Sequence, residues 1–234
     1  MIISHQKKFV YIRTVKTGSS SLEIFLSQFC SKKDIITPLF SNEEKFKREN
    51  NLPCAQNYKL KKKSFGIKNF LNFNFYNTVN LHDHKPIDKV FKTEIGKNIK
   101  DYFFFSFIRN PFDWIISFFY WDLVLKNYKI ENLENINDIF SKFLDEKCDF
   151  FFKWQRDIIS SRYYKINIFK FEEMEIIIKK IKEKLNLNDE VIQLENIRFK
   201  DLKLKKKIIL GKKEKEKIIK CGNFFFKNFY NDLI

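Results

Sequence analysis

Apolar and polar positions alternate along this chain with periods that predict strands and helices in turn. Phe9-Val10-Tyr11-Ile12 is a short apolar run ending near Arg13, the length of an inner strand. A polar loop from Thr14 to Ser19 follows, and Ser20-Ser21-Leu22-Glu23 has the Ser-x-x-Glu spacing of a capping box opening a helix to about Phe29. Residues 31–63 are mixed and polar, with Pro38 and Pro53, which predicts loops and one short helix near Asn42 to Glu49. Within 64–79, Phe70-Leu71-Asn72-Phe73-Asn74-Phe75-Tyr76 alternates with strand period. His82-Asp83-His84-Lys85-Pro86 is a polar turn beyond it, and residues 87–99 are weakly helical.

The second half repeats the theme. Phe103 to Ile108 is almost continuously apolar, as in a central parallel strand covered on both faces. Asn110 suits a helix cap, Pro111 the first helical position, and Asp113 the first turn, where the helix dipole favours an acid. The helix that follows, to about Lys126, is apolar nearly all round and should be buried. Residues 127–137 read as a loop or short helix, 138–147 and 152–161 as two helices, 166–171 as another inner strand, and 173–187 as a helix. A short basic stretch at 202–209, then Gly211, precede a final helix from about Lys213 to Phe229. Neither a repeat nor a linker interrupts this order, which predicts a single α/β domain over 1–234 with a mostly parallel sheet flanked by helices.

Composition sharpens the picture in three places. Aromatic residues are 18% of the chain, with 29 phenylalanines, so the core should be built largely of rings. The net charge of +16 favours polyanionic partners: nucleic acid, membrane, acidic glycan or a multiply phosphorylated nucleotide. Yet the chain has a single alanine, Ala55, and is crowded throughout with Lys, Asn, Ile and Phe, so much of that charge reflects overall composition and ordinary solvation. Because the rings fall in predicted core elements and not on an exposed basic face, no nucleic-acid partner is expected. Cys30, Cys54, Cys148 and Cys221 are too widely spaced for a zinc ribbon or a disulfide framework, which points to a reducing, cytoplasmic setting without a metal. Residues 1–8 are short and polar, unlike a signal peptide, and place His5 near a frayed terminus. Tyr102 to Leu125, the most apolar stretch, is broken by Arg109, Asn110, Pro111, Asp113 and Asp122, so no transmembrane segment is expected.

Two clusters carry chemistry. Lys16-Thr17-Gly18-Ser19-Ser20-Ser21 joins a strand to a helix, where backbone N–H groups, hydroxyls and one ammonium can receive a phosphate. The Walker spacing is absent and the lysine precedes the glycine, which weakens a kinase or GTPase reading. Arg109, at the carboxyl end of an inner strand, needs an anion or an acid beside it, and Ser117, two helical turns on, can donate to the same anion.

Together these clusters resemble the sulfotransferases that use the phosphosulfate donor PAPS, in particular their carbohydrate branch. Lys16 to Glu23 is similar to that family's Pro-Lys-Thr-Ala/Gly-Gly/Ser-Thr/Ser-Ser loop, and Arg109-Asn110-Pro111-Phe112-Asp113 with Ser117 to its Arg-Asn-Pro-aromatic-Asp-x-x-x-Ser motif. Phe169 to Met174 resembles a later aromatic-Glu-Asn-Leu strand end, while 188–234 matches only loosely. The resemblance implies a P-loop-like sulfotransferase fold. It implies that Lys16, Thr17, Gly18, Ser19, Ser20 and Ser21 hold the 5′-phosphosulfate of PAPS, and that Arg109 and Ser117 hold its 3′-phosphate. Lys16 would stabilise charge on the transferred sulfuryl group, and a base would take the proton of a hydroxyl acceptor, a glycan by this resemblance. Histidines upstream of the Arg-Asn-Pro motif often serve as that base, and His84 fits better than His82. Two positions depart: Val15 stands where proline is usual, and Trp114 where many relatives have arginine or lysine. On one predicted helix, Trp154-Gln155-Arg156 offers an aromatic platform and polar groups to a sugar. A noncatalytic glycan- or nucleotide-binding relative and a kinase-like enzyme are the alternatives.

Overall fold

A computed structural model describes residues 1–61, 78–81, 84–130, 133–188, 191–197 and 207–234. The alternating stretch at 70–76, His82, and most of the basic stretch at 202–209 lie outside the described residues. Five strands form the main sheet: β1 (Ile2–Ser4), β2 (Phe9–Tyr11), β3 (Ile35–Ile36), β6 (Phe103–Ile108) and β7 (Ile166–Lys170), in the order β3-β1-β2-β6-β7. A separate pair, β4 (Lys59–Lys61) and β5 (Thr78–Asn80), is antiparallel.

The sheet is mixed, which corrects the expectation of a mostly parallel one. β2, β6 and β7 run parallel, but β1 pairs antiparallel with both β2 and β3. The error lay in the first residues. Met1, Ile2 and Ile3 are buried, and the chain turns within 5–8 to run back as β2, so β1 is an interior strand paired on both sides. His5 is likewise tied down, its Nδ1 lying 3.0 Å from the Tyr102 hydroxyl.

Strand alternation sends successive side chains to opposite faces. Val10, Ile12, Phe104 and Ile108 enter one core, and Phe9, Tyr11, Phe105 and Phe107 the other. The first core is covered by α4 (Pro111–Leu125), α5 (Ile136–Ile159), α7 (Lys212–Cys221) and α8 (Asn223–Phe229). The second is covered by α1 (Ser19–Ser27) and α6 (Met174–Leu185). A short helix α2 (Ser41–Glu49) lies near the predicted place, and α3 (Asp88–Phe91) is all that forms as regular helix from the weakly helical 87–99.

Two helix boundaries differ from expectation. The two helices anticipated at 138–161 are one, α5, because buried Phe140, Leu144, Phe151 and Ile158 keep helical spacing and neither Gly nor Pro interrupts them. The single final helix is broken instead into α7 and α8 at Gly222, where a Cβ would meet the Ile218 carbonyl and the Phe152 ring at 3.0 Å. The cysteines are free thiols, and packing of α5 on α7 brings Cys148 and Cys221 into hydrogen-bonding contact. Among the described residues no helix is long and apolar enough to cross a membrane.

Candidate functional site

β2 ends at the sheet's carboxyl edge beside β6, and the next residues curl back into α1. Lys16 and Gly18 both adopt left-handed backbone, φ 59° and 63°. Glycine takes that conformation at little cost, whereas lysine pays for it, a strain that accumulates where a loop must present its backbone to a ligand. Gly18 is the N-cap of α1, so Ser19, Ser20 and Ser21 form the first helical turn. N–H groups in a first turn have no partner inside the helix and favour an anion.

The anticipated capping box does not form. Ser20 is not the cap, and Glu23 is fully buried, accepting from the α-amino group of Met1 at 2.7 Å and from the Thr37 hydroxyl at 2.9 Å. Arg13 Nε stands 3.9 Å from the same carboxylate, and Arg13 also donates to Ser20 Oγ at 3.3 Å. A buried arginine at 2% exposure thus links a buried acid to the first turn of α1. The sequence marks Arg13 only as the end of a strand and Glu23 as a capping residue; an arginine directly after an inner strand was the available signal for its place in the site.

The loop is held from beneath. Thr17 is buried and its hydroxyl lies 2.9 Å from that of Thr14, which in turn bonds the Phe107 carbonyl. Val15 and Trp114, the two departures from the family pattern, prove to be joined: Trp114 Nε1 donates to the Val15 carbonyl at 2.7 Å. Val15 N–H donates to Gln155 Oε1 at 3.3 Å, a bond that proline could not make. Gln155, from α5, is 2% exposed, and among the described residues its Nε2 has no hydrogen-bond partner.

The Arg109 turn is built as anticipated. Asn110 caps α4 by accepting the Phe112 N–H at 3.0 Å, and Pro111 occupies its first turn. The Asn110 N–H is itself taken by Glu172 Oε1 at 2.7 Å, and Glu172 Oε2 accepts the Tyr230 hydroxyl at 2.8 Å. Burial and this carboxylate push the Tyr230 phenol up from its usual range, keeping it a donor. The Arg109 guanidinium lies over the Phe171 ring, 5.1 Å from its centroid.

These parts converge on one cavity of about 400 Å³. Of the anticipated residues it brings together Lys16, Gly18, Ser19, Ser20, Ser21, Arg109, Ser117 and His84; Thr17 braces the loop from behind. Arg13, Val15, Phe40, Trp121, Trp154 and Phe171 complete the wall. His84 Nδ1 is 3.1 Å from the Arg13 carbonyl oxygen. A carbonyl can only accept, so Nδ1 carries a proton; in the neutral ring this makes Nε2 the lone-pair nitrogen, the tautomer a base requires. Lys213 lines a different groove between α5 and α7, among Asp145, Glu214 and Glu216. Among the described residues no cluster of His, Cys, Asp and Glu could hold a metal ion.

A protein-family model described as "Sulfotransferase family" matches residues 1–203, the whole of the sheet and both phosphate-suited clusters. No curated protein and no solved structure matches the chain.

Proposed function

Since the chain belongs to the sulfotransferase family, we propose that it transfers a sulfuryl group from PAPS to a hydroxyl of a carbohydrate acceptor. The observation that carries this reading is the convergence of a lysine, two arginines, four serine hydroxyls and a helix N-terminus on one cavity that also holds a histidine whose Nδ1 faces the Arg13 carbonyl. Such a set fits a ligand with two separate anionic groups joined by a nucleoside. In this reading Lys16, the backbone of 17–21 and the hydroxyls of Ser19, Ser20 and Ser21 hold the 5′-phosphosulfate in the P-loop manner, and Arg109 with Ser117 holds the 3′-phosphate.

The donor supplies the sulfuryl group. The chain's own residues supply position and charge. Lys16 and the first turn of α1 meet the negative charge that builds on the leaving phosphate, and Arg13, locked between Glu23 and Ser20, adds a fixed cation beside them. His84 Nε2 takes the acceptor proton, while its Nδ1 bond to Arg13 keeps the ring oriented. No covalent bond to the enzyme is required.

Calorimetric titration with adenosine 3′,5′-bisphosphate, with ATP as the comparison, tests the donor site. The wild-type chain should prefer the bisphosphate. Lys16→Ala and Arg109→Ala should each weaken it about 10- to 100-fold, the value of one charge-assisted hydrogen bond. His84→Gln should leave the affinity within about twofold, since the base is assigned to the acceptor. A preference for ATP that neither substitution disturbs would sink the assignment in favour of a kinase-like enzyme.

A further inference from the structure

Beside the groups suited to phosphate, the cavity carries a wall of a different kind. Trp154 of α5 and Trp121 of α4 line it together with His84, and both indoles are partly buried. Each stands nearly perpendicular to the buried Phe118 ring, at 77° and 5.2 Å for Trp121 and 82° and 6.3 Å for Trp154. Trp154 also meets the His84 ring at 89° and 5.9 Å. Edge-to-face contacts of this kind fix the planes of the rings. The neighbouring residue on α5, Gln155, is bonded to the root of the phosphate loop, so Trp154 is held in register with that loop. The third tryptophan, Trp114, is buried and spent on the Val15 carbonyl; only Trp121 and Trp154 are kept open, on one wall.

The charge and shape of the cavity narrow what this wall can receive. Among the described residues lining it, every ionisable side chain is basic, which disfavours an amine or other cation as acceptor. Phe40, which also lines the cavity, is 53% exposed, so the cavity is open to water. A flat apolar acceptor would instead be enclosed by its site, whereas a sugar offers one C–H face to the indole and hydroxyls to water.

We infer that Trp154, continued by Trp121, is the acceptor platform, and that it stacks one pyranose ring, neutral or acidic, with a ring hydroxyl directed at His84 Nε2. This rests on the donor reading above, because the base and the platform only serve an acceptor if the phosphate clusters hold the donor.

The test uses the full chain saturated with adenosine 3′,5′-bisphosphate. Methyl pyranosides of glucose, galactose, mannose, N-acetylglucosamine and glucuronic acid, with 2-naphthol as the planar comparison, are titrated by tryptophan fluorescence and calorimetry. At least one pyranoside should bind. Trp154→Ala should weaken it tenfold or more while leaving bisphosphate affinity within about twofold, and Trp154→Phe should recover part of the loss. Binding of 2-naphthol with no pyranoside bound, or of none of them, overturns the pyranose assignment. An equal loss of bisphosphate affinity in Trp154→Ala would make the ring a purine platform and overturn the acceptor role. Failure of the wild-type chain to bind bisphosphate sinks the donor reading itself, an outcome separate from these.

Discussion

Gly18 answers two demands at once. Its φ of 63° is in the left-handed region, and a Cβ built there would lie 3.0 Å from Cε2 of Phe171, the ring that also carries the Arg109 guanidinium. Gly18→Ala should therefore cost about 1–2 kcal/mol for the left-handed backbone alone, and push Phe171 against Arg109. Thermal unfolding should show a lowered midpoint, and the bisphosphate titration a weaker site. An unchanged midpoint would mean the loop relaxes out of this conformation. At this scale the sequence was most legible where side-chain type and local position agree, as at Lys16, Gly18, Arg109 and Ser117. Glu23 misled because Ser-x-x-Glu is a local pattern, while its partners, Met1, Thr37 and Arg13, come from three other places in the chain. No spacing rule along the chain could expose that network.

Among elements, β2, β6, β7, α4 and α6 follow directly from apolar runs and cap residues; β2 with α1 carries one phosphate-suited cluster and β6 with α4 the other. What escaped reading depended on packing across the molecule: the break at Gly222, the burial of β1, and the continuity of α5. The junction of α4 and α5, which sets the spacing of Trp121 and Trp154, is pinned by Asp122. Its carboxylate binds Lys147 at 3.0 Å and Lys126 at 2.8 Å. Burial raises the Asp122 pKa, but the hydrogen bonds and charges of Lys126 and Lys147 outweigh it and leave the carboxyl below its usual range. With the folded pKa below the unfolded one, the stabilisation is full above the ordinary carboxylate pKa and fades as pH falls through the folded value. Asp122→Asn should cost about 1 kcal/mol at pH 7, as Lys126 and Lys147 are partly exposed. The stabilities of variant and wild type in urea should converge as pH falls below the carboxylate range; a gap that stays constant with pH would show that packing, not charge, is lost.

Across the whole molecule, the most distant part of the chain reaches the site. Residues 207–234 lie beyond the stretch matched to the family and show little of its pattern, yet α8 packs Phe226 on Phe112 of α4, with ring centroids 5.1 Å apart. Tyr230, 3% exposed, then donates its hydroxyl to Glu172, whose other oxygen receives the N–H of Asn110, the residue after Arg109. Lys170 covers the Tyr230 ring at 4.9 Å. The Arg109 turn is thereby clamped between the end of β7 and the end of the chain, an arrangement invisible in sequence because its three parts are separated by 58 residues or more. Tyr230→Phe keeps the ring and its packing and removes only the donor. It should cost about 1.5–3 kcal/mol, the worth of a hydrogen bond to a carboxylate. If the clamp positions Arg109, bisphosphate affinity should fall severalfold in Tyr230→Phe, and adding Arg109→Ala should then cost less than it does alone, because the two changes disable one contact. A double-variant cycle read by calorimetry decides the matter: additive losses, or a lowered melting midpoint with undiminished affinity, would reduce the C-terminal helices to packing alone.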